Sequence, residues 1–337
     1  MNAESGVGLK LPYDESVKGL REALKSLPIV GAPLVEFNRT FVRPPLDSLS
    51  ERSMASQRGI QLEYGKKVIS LISGPRELRI RREVRDLVRF CISSFDYLFD
   101  SVKPVDWFGR LLVDFSTPRF HEVTGYDLHP VMFSALSEPV VTSLQYIESL
   151  DIQDGETILD AGAYSGLSAF MFREAVGSHG RVIAIEADPR NFETLEMNYS
   201  LYRKIRGREL VAVNAALWHS KGNIDFSSEG DMTSNAFAVS QRGGRGGKLV
   251  NVPSFTLSNL IEDLEIETID SMKLDIEGAE LLALSDREFF LNHHPKIIFE
   301  AFGREGTQAC IELLESYGYS SKVIKQIGVS DSLVLCT

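Results

Sequence analysis

The sequence has little of several features that mark whole classes of protein. Its 337 residues include only three cysteines, Cys91, Cys310 and Cys336, at none of the short spacings of zinc or redox motifs. They are predicted to be packed thiols of a reducing compartment. No apolar run approaches the roughly 18 residues that span a bilayer, and the first residues lack the basic and apolar parts of a secretion signal. These absences favour a cytoplasmic protein without a membrane span.

A basic surface is also missing. Lys and Arg number 36 against 47 Asp and Glu, a formal net charge of -11, and the first 150 residues carry 19 of each sign, so the excess of acid lies after residue 150. Because polyanion binding needs a basic face, a nucleic-acid partner is not expected. One cationic, Gly-rich loop contains Arg242, Arg245 and Lys248. It is interpreted either as a mobile hairpin tip or as a lid that faces an anionic substrate.

The chain divides into a weakly patterned and a strongly patterned part. Residues 1–130 are predicted to form an N-terminal α+β extension that covers the site or contributes substrate contacts, and residues 131–337 a catalytic domain. In the extension, apolar residues between Ile80 and Cys91 have the spacing of one helix face, and 111–115 has the composition of a strand. A helix is expected to begin near Pro139 and lead into the catalytic domain.

From residue 157 onward, short β-branched segments alternate with helical periods, which is typical of an α/β fold with a mostly parallel sheet covered on both faces. Seven strands are predicted, at 157–160, 182–186, 211–214, 272–275, 297–300, 322–327 and 332–336. Helices are predicted at 166–176, 189–202, 280–291 and 306–317. An insertion at 219–258 is expected to contain a hairpin-like Gly222-Asn223 and a strand near 249–252. Such sheets bind ligands at the carboxyl ends of their strands.

The first of these strands ends in a glycine-containing turn, DAGAYSG at 160–166. Gly162 permits a tight turn against a ligand, and Gly166 lets the next helix pack close to the sheet. The second strand ends in Glu186, 24 residues after Gly162, where an acid reaches the hydroxyls of a bound ribose. Together these residues predict an adenosine site.

The choice of adenosine cofactor depends on the residues around the turn. A dinucleotide fingerprint needs a middle glycine so that the pyrophosphate can approach the backbone, and this position is Tyr164. Asp160 would also place negative charge beside an anionic ligand. S-adenosylmethionine has no phosphate and carries a sulfonium and an ammonium, so it tolerates both features. An NAD(P)-dependent oxidoreductase and a non-catalytic cofactor-binding scaffold remain the alternatives.

Four ordered motifs resemble those of the FkbM-type S-adenosylmethionine-dependent methyltransferases: LDAGAYSG at 159–166, IEADPRNF at 185–192, VNAAL at 213–217 and MKLDIEGAE at 272–280. The resemblance implies a class I, Rossmann-like methyltransferase sheet with an antiparallel last strand. It also implies contacts to the methionine end of the cofactor from the first motif, to ribose from Glu186, and to adenine near Asn214 and Ala215. Tyr164 departs from the family, where Asn is common. The candidate cofactor-binding residues are Asp160, Gly162, Ala163, Tyr164, Gly166, Glu186, Ala187, Asp188, Asn214 and Ala215.

Candidate catalytic carboxylates follow the fourth and fifth strands of this sheet. Asp275, Glu277 and Glu300 are the candidates, and Asp275 and Glu300 are expected to be neighbours across two parallel strands. They could serve as a general base for methyl transfer to oxygen, or Asp275 and Glu300 could hold a divalent cation that lowers the pKa of the acceptor hydroxyl. Acids at this helix start are favourable without any function, and Lys273 is interpreted as structural.

The family resemblance favours O-methylation of a sugar, glycan or secondary metabolite. The residues themselves do not select among these acceptors, and they do not determine the oligomeric state.

Overall fold

The computed structural model describes residues 44–231, 235–236, 248–300, 303–327 and 332–337. The N-terminal part consists, in chain order, of α1 (Pro44–Gln57), β1 (Gln61–Tyr64), β2 (Val68–Ser73), β3 (Arg76–Arg81), α2 (Val88–Ser93), α3 (Phe95–Asp100), β4 (Val105–Trp107), β5 (Arg110–Asp114), β6 (Phe120–His121) and β7 (Val131–Met132). Five of the strands form a sheet in the order β1-β2-β3-β5-β4, and β6 pairs with β7.

The helix expected from the spacing between Ile80 and Cys91 is only partly correct. Residues 76–81 form strand β3, because Leu78 and Ile80 alternate with arginines and both pack into the core with 0% exposure. A 3-10 helix (Arg82–Leu87) and α2 follow, so the helical part of the expectation holds from residue 82. The strand expected at 111–115 is confirmed as β5, one residue earlier.

The C-terminal part follows the predicted alternation of strands and helices. Its elements are α4 (Val140–Leu150), β8 (Thr157–Ala161), α5 (Leu167–Ala175), β9 (Arg181–Glu186), α6 (Pro189–Arg206), β10 (Val211–Asn214), β11 (Ala216–Leu217), β12 (Gly222–Ser228), β13 (Asn235–Ala236), β14 (Lys248–Phe255), α7 (Leu257–Asp263), β15 (Ser271–Leu274), α8 (Glu280–Ala283), α9 (Arg287–His293), β16 (Lys296–Phe299), α10 (Gly303–Ser316), β17 (Ser321–Lys325) and β18 (Ser332–Cys336).

Seven of these strands form one sheet in the order β10-β9-β8-β15-β16-β18-β17. The neighbours from β10 to β16 are parallel, and β18, the last strand of the chain, is antiparallel to both β16 and β17. The α/β fold and the antiparallel last strand are therefore as expected. The order places β8 beside β9 and β15, so the chain segments that leave these three strands meet at one edge of the sheet.

Both faces of this sheet are buried, which explains the continuous apolar strands. Successive residues point to opposite faces: Ile158 packs in the cluster on one side and Leu159 in the cluster on the other. The first cluster also contains Leu71 and Phe95 of the N-terminal part, so the two parts share one core. The division of the chain at residue 130 stays a prediction.

Three details of the C-terminal part differ from the sequence expectations. The single helix at 280–291 is two helices, because the Asp286 side chain caps a new start at α9. Gly222-Asn223 is not a turn but the beginning of β12, with Gly222 paired to Ser254 of β14. Helix α7, which was not among the helices predicted from the sequence, begins at Leu257, directly after its cap residue Thr256. Arg242 and Arg245 of the cationic loop lie outside the described residues, and Lys248 opens β14 as an exposed side chain.

All three cysteines are free and buried, which confirms that they are packed thiols. In the parts of the chain that the structure describes, no helix is both long enough and apolar enough to cross a membrane.

Candidate cofactor and catalytic site

The turn after β8 needs glycine at the two predicted positions. Gly162 has a φ of 77°, and a Cβ there would lie 1.8 Å from the Asp275 carbonyl oxygen. At Gly166, with a φ of 88°, a Cβ would lie 2.9 Å from the ring of Phe170. The backbone N–H groups of Gly162 and Ala163 both donate to the Ile185 carbonyl at 2.9 Å. The turn is therefore held tightly against the ends of β9 and β15.

Tyr164 directs its side chain away from this turn. Its hydroxyl accepts from the backbone N–H of Ala135 at 2.9 Å and of Leu136 at 3.2 Å, and donates to the Leu136 carbonyl at 3.0 Å. Its backbone N–H donates to Glu186 Oε2 at 2.8 Å. The departure from the family pattern thus has a structural role, since the hydroxyl fixes the segment that precedes α4. Any cofactor contact from Tyr164 stays a prediction.

Glu186 lies at the carboxyl end of β9, where the sequence predicts it, and is 6% exposed. Its Oε1 accepts from the Asp188 N–H at 2.8 Å, while Oε2 accepts from Tyr164. Burial raises the pKa of this carboxyl to about 7, although the two backbone N–H groups act to lower it. The carboxylate is therefore oriented by the protein backbone, with further lone pairs that can accept from a ligand.

Asp188 is fully buried and makes three hydrogen bonds of 2.8 Å. It caps α6 by accepting from the Arg190 N–H, and it accepts from the Ser228 hydroxyl and the Gly230 N–H at the end of β12. Asp188 thus fixes the start of this helix. The same carboxylate joins helix α6 to the insertion, which no sequence pattern indicated.

Replacing Asp188 tests this junction. Asp188→Ala is expected to lower the free energy of unfolding by about 2 kcal/mol, because it removes a helix cap and leaves two buried donors without their acceptor. Urea unfolding followed by circular dichroism measures the change. Glu193→Ala, at an exposed position of the same helix, is the control and should alter stability by less than about 0.5 kcal/mol. Equal stability of the two variants would show that the contacts of Asp188 to α6 and the insertion do not stabilise the fold.

The predicted adenine-side residues lie beside Glu186. Asn214 donates from Nδ2 to the carbonyls of Glu186 at 2.8 Å and Ala187 at 3.2 Å, so it closes the gap between the ends of β9 and β10. Ala215 is 1% exposed and Ala187 packs against the small core of the insertion. Their contacts to an adenine ring stay predictions.

Asp160 and Lys273 form an ion pair beneath the glycine turn. Their side chains are 0% and 4% exposed, and Lys273 Nζ lies 3.3 Å from Asp160 Oδ1 and 3.7 Å from Asp275 Oδ2. Lys273 also donates to the Gly162 carbonyl at 2.8 Å, and Ser168 donates to Asp160 Oδ2 at 2.6 Å. Burial alone would lower the pKa of Lys273, but the carboxylates of Asp160 and Asp275 raise it above its usual range. The lysine is therefore a cation that links the first and fourth motifs.

The predicted catalytic carboxylates gather at the ends of β15 and β16. The Glu300 N–H donates to the Leu274 carbonyl at 3.1 Å, so Asp275 and Glu300 follow paired strand residues as expected. Asp275 is 38% exposed, the most open of the carboxylates that contact Lys273. Glu277 has a φ of 53°, and burial, followed by the charges of Asp275 and Glu280, raises its pKa well above the usual range.

Glu280 has a different role in the same loop. Its Oε1 accepts from the N–H of Ile276 at 3.0 Å and of Gly278 at 3.3 Å, and burial raises its pKa to about 7. It therefore holds the loop that carries Asp275 and Glu277. Within the described residues, no group of three or more His, Cys, Asp and Glu side chains is arranged to hold a metal ion. A divalent cation between Asp275 and Glu300 stays a prediction.

Two residues that sequence reasoning did not assign to the site lie close to it. Lys273 could have been found as the one charged residue within the buried strand SMKL. Glu138 carries no comparable signal, because its sequence neighbours indicate only a helix start. Its Oε2 atom is buried and, among the described residues, has no hydrogen-bond partner. The charges of Lys273 and Asp160 act on it, so it lies beside the ion pair.

Comparison with known proteins agrees with this arrangement. A sequence profile described as the methyltransferase FkbM domain matches residues 160–321. No curated protein matches the chain. Among solved structures, the chain is similar to a methyltransferase FkbM from Methylobacillus flagellatus KT, with 17% identity and a TM-score of 0.42, over 75% of this chain and 60% of that one. This chain thus spans about three fifths of that protein.

Two other solved structures are more distant. Fibrillarin from Aeropyrum pernix, described in complex with natively bound S-adenosyl-L-methionine, has 12% identity and a TM-score of 0.38 over 82% of this chain and 99% of that one. A SAM-dependent O-methyltransferase from Thermotoga maritima has 12% identity and a TM-score of 0.36 over 60% of this chain and 66% of that one.

The order of the seven strands, with glycine turn and acid at adjacent strand ends, defines a class I, Rossmann-like methyltransferase domain. The profile match over residues 160–321 confirms the resemblance to the FkbM methyltransferases that the four motifs carry.

Proposed function

We propose that this protein is an S-adenosylmethionine-dependent O-methyltransferase that acts on a hydroxyl of a sugar, glycan or secondary metabolite. The observation that carries the proposal is the placement of an acid-bearing glycine turn beside Glu186, with Asp275 at the next strand end. Catalytic and donor-binding carboxylates thus surround one edge of the sheet. A methyl donor that carries two positive groups and an acceptor that must lose a proton both fit such a site.

The donor fits the described residues. The buried Oδ1 of Asp160 lies 3.3 Å from Lys273 Nζ without completing a hydrogen bond, so it has capacity for a donor group of a ligand. Gly162, Ala163 and Gly166 give the backbone the close approach that a nucleoside needs. Glu186 would accept from the ribose hydroxyls, and Asn214 and Ala215 would border the adenine. Asp188 would act through its hold on α6 and the insertion.

A dinucleotide is disfavoured by two features of the same turn. Tyr164 occupies the middle position with a φ of 48°, which adds a Cβ where a pyrophosphate needs bare backbone. Asp160 pairs with Lys273, and carboxyl groups outnumber basic groups around this turn. Both features are compatible with a cationic cofactor. An oxidoreductase would bind NADH, whereas a non-catalytic scaffold would bind the nucleoside without transferring a methyl group.

When bound, S-adenosylmethionine would supply an electrophilic methyl group, and its transfer to the acceptor oxygen would leave the electron pair of the broken carbon–sulfur bond on sulfur. The acceptor proton passes to Asp275, the more exposed of the two carboxylates that pair with Lys273. Lys273, whose ammonium lies 3.7 Å from Asp275 Oδ2, would orient this carboxylate. Glu277 and Glu300 would contribute hydrogen-bonding contacts at the same edge.

A transfer assay tests the proposal. The purified protein is incubated with methyl-labelled S-adenosylmethionine and fractionated cell extract, with heat-inactivated protein as the control. We expect label in a hydroxyl-bearing glycan or small molecule, in a linkage that mild base does not cleave, as an ether requires. Label on nitrogen, on protein or on nucleic acid would contradict O-methylation of such acceptors.

Once an acceptor is found, chelation tests the proposed cation. If Asp275 and Glu300 hold a divalent cation, EDTA should reduce turnover by about tenfold or more, and added Mg²⁺ or Mn²⁺ should restore it. Donor affinity, measured by calorimetry with S-adenosylhomocysteine, should not change. Full turnover in EDTA would leave Asp275 as a general base that acts without a metal.

The affinity for the nucleoside is expected to depend on pH through Glu186. Its raised pKa means that the free protein binds a proton below about pH 7, whereas the ribose hydroxyls need the ionised carboxylate as their acceptor. Binding therefore releases the proton, and the dissociation constant should rise by about tenfold between pH 8 and pH 6.

5′-Methylthioadenosine isolates this effect, because it has the ribose but no amino-acid group to contact other carboxyls of the site. Calorimetry at several pH values should give a flat profile for Glu186→Gln and a sloping one for the wild type. A flat wild-type profile would remove Glu186 from the ribose contact.

A further inference from the structure

The segment 133–139, between β7 and α4, crosses beside the glycine turn and is fixed there by side chains from three other elements. The Tyr164 hydroxyl makes three hydrogen bonds to the backbone of Ala135 and Leu136. The Ser134 hydroxyl donates to Asn191 Oδ1 at 2.6 Å, and Arg81 donates to the Ser134 carbonyl at 2.5 Å. These contacts fix residues 134–136, and they therefore hold Glu138, two residues further along the same segment, in a defined position.

Glu138 has an unusual environment for an acid at a helix start. Its Oε2 is buried without a hydrogen-bond partner among the described residues, and such atoms are rare in folded proteins because they have lost their water. Burial raises the pKa of Glu138 to about 8, and the charge of Lys273 acts in the opposite direction. An acid near the start of α4 would favour the helix dipole equally well from an exposed position. The dipole therefore does not explain the burial.

The charges around Glu138 point to a cationic ligand. Three carboxylates, Asp160, Asp275 and Glu138, act on the single cation Lys273, so the group has a charge of -2 when all are ionised. Two of their oxygens, Asp160 Oδ1 and Glu138 Oε2, make no hydrogen bond within the described residues. A ligand ammonium supplies both the missing charge and the missing donors.

We infer that Glu138 is a second ammonium-binding carboxylate of the donor site, which accepts from the amino group of the donor's methionine moiety together with Asp160. Tyr164 is the positioning residue that holds the segment carrying it. This inference rests on the proposed function, since it names a further residue for the same cofactor. It assigns the N-terminal side of α4 to donor recognition, a region outside all four sequence motifs.

Two ligands that differ only in the amino-acid group test the inference. S-adenosylhomocysteine carries the ammonium, whereas 5′-methylthioadenosine shares the adenosine and the thioether but lacks it. Calorimetry on Glu138→Gln should show at least about a tenfold loss of affinity for S-adenosylhomocysteine, as expected for a lost charged hydrogen bond. Affinity for 5′-methylthioadenosine should stay within about twofold of the wild type.

Two further variants sharpen the test. Glu148→Gln, at an exposed position of the same helix, is the matched control and should bind both ligands as the wild type does. Tyr164→Phe keeps the backbone contact to Glu186 and removes only the hydroxyl, so it should weaken S-adenosylhomocysteine binding by a few-fold and leave 5′-methylthioadenosine unaffected. In the Glu138→Gln background, Tyr164→Phe should have little additional effect, because both changes act on one contact.

Failure of the inference is distinguishable from failure of the proposed function. If the wild type binds neither ligand, the methyltransferase proposal itself fails. If the wild type binds both but Glu138→Gln binds S-adenosylhomocysteine with unchanged affinity, or loses both ligands equally, the inference is overturned and Glu138 is a structural residue. Circular dichroism and thermal melting of each variant establish that it is folded.

Discussion

Asp275→Asn is expected to reduce methyl transfer by about 100- to 10,000-fold while S-adenosylhomocysteine binds within about threefold of its wild-type affinity. The range is that of a general base removed from a proton-transfer step. Asn keeps the size of the side chain but cannot accept the acceptor's proton. Because the Asp275 carboxylate is partly exposed and lies 3.7 Å from Lys273, the substitution should leave the fold intact. Initial rates with the acceptor and calorimetry with the nucleoside measure the two effects separately.

The matched control for this variant is Glu288→Gln, at an exposed position of α9 outside the site, which should retain full turnover. If Asp275→Asn keeps both turnover and binding, Asp275 is not the base. If both are lost together, its role is to support the turn at Gly162, with which its backbone is in close contact, and the catalytic assignment then passes to Glu277 or Glu300.

Lys273→Met is expected to lower the free energy of unfolding by about 3–5 kcal/mol. The substitution keeps a long apolar side chain but leaves Asp160, which is 0% exposed, without its cation. Ser168 supplies one hydrogen bond to Asp160, which is too little to stabilise a buried charge. Urea unfolding measures the loss.

A double variant distinguishes the effect of an unpaired Asp160 carboxylate from the effect of lost packing around Lys273. Replacing both partners, Asp160→Asn with Lys273→Met, removes the uncompensated charge and should recover most of the stability. The double variant should bind S-adenosylhomocysteine more weakly than the wild type does, because the Asp160 carboxylate proposed to bind the ammonium is gone. A single Lys273→Met variant within about 1 kcal/mol of the wild type would show that the ion pair has no stabilising role.

The parts of the site that could be predicted from the sequence are those that depend on local chain geometry. Glycine is required at 162 and 166 because Asp275 and Phe170 approach the backbone there closely. Glu186 could be predicted because it is the last residue of its strand. Strand ends, helix starts and tight turns leave signals within a few residues, so their positions followed from the pattern of apolar residues and glycines. The sheet order then brought the first, second and fourth motifs together.

The contacts that could not be predicted join segments far apart in the sequence. Asp188 gives the signal of a helix cap, but its bonds to Ser228 and Gly230 depend on how the insertion folds back. Tyr164 was predicted to be a cofactor-binding residue that departs from the family motif. Its hydroxyl bonds to the backbone of Ala135 and Leu136, almost thirty positions earlier in the chain. Glu138 has no local signal, since the groups that act on it, Lys273 and Asp160, belong to strands further along the chain.

The segment 76–81 is a strand, although the apolar spacing from Ile80 onward favoured a helix. This error also arises from contacts between distant segments. Over so short a stretch, apolar residues at Ile80, Val84 and Leu87 fit a helix as well as the end of a strand followed by a 3-10 turn. Pairing with β2 and β5 decides in favour of the strand, because it satisfies the backbone hydrogen bonds of residues 76–81 within a five-stranded sheet.

Calorimetry with S-adenosylhomocysteine and with NADH, on the wild-type protein at pH 8, tests the central claim most directly. The account predicts saturable one-to-one binding of S-adenosylhomocysteine with a dissociation constant in the micromolar range, about -8 kcal/mol, and no detectable binding of NADH. Saturable binding of NADH with none of S-adenosylhomocysteine would contradict it, and would make the glycine turn and Glu186 a dinucleotide site instead.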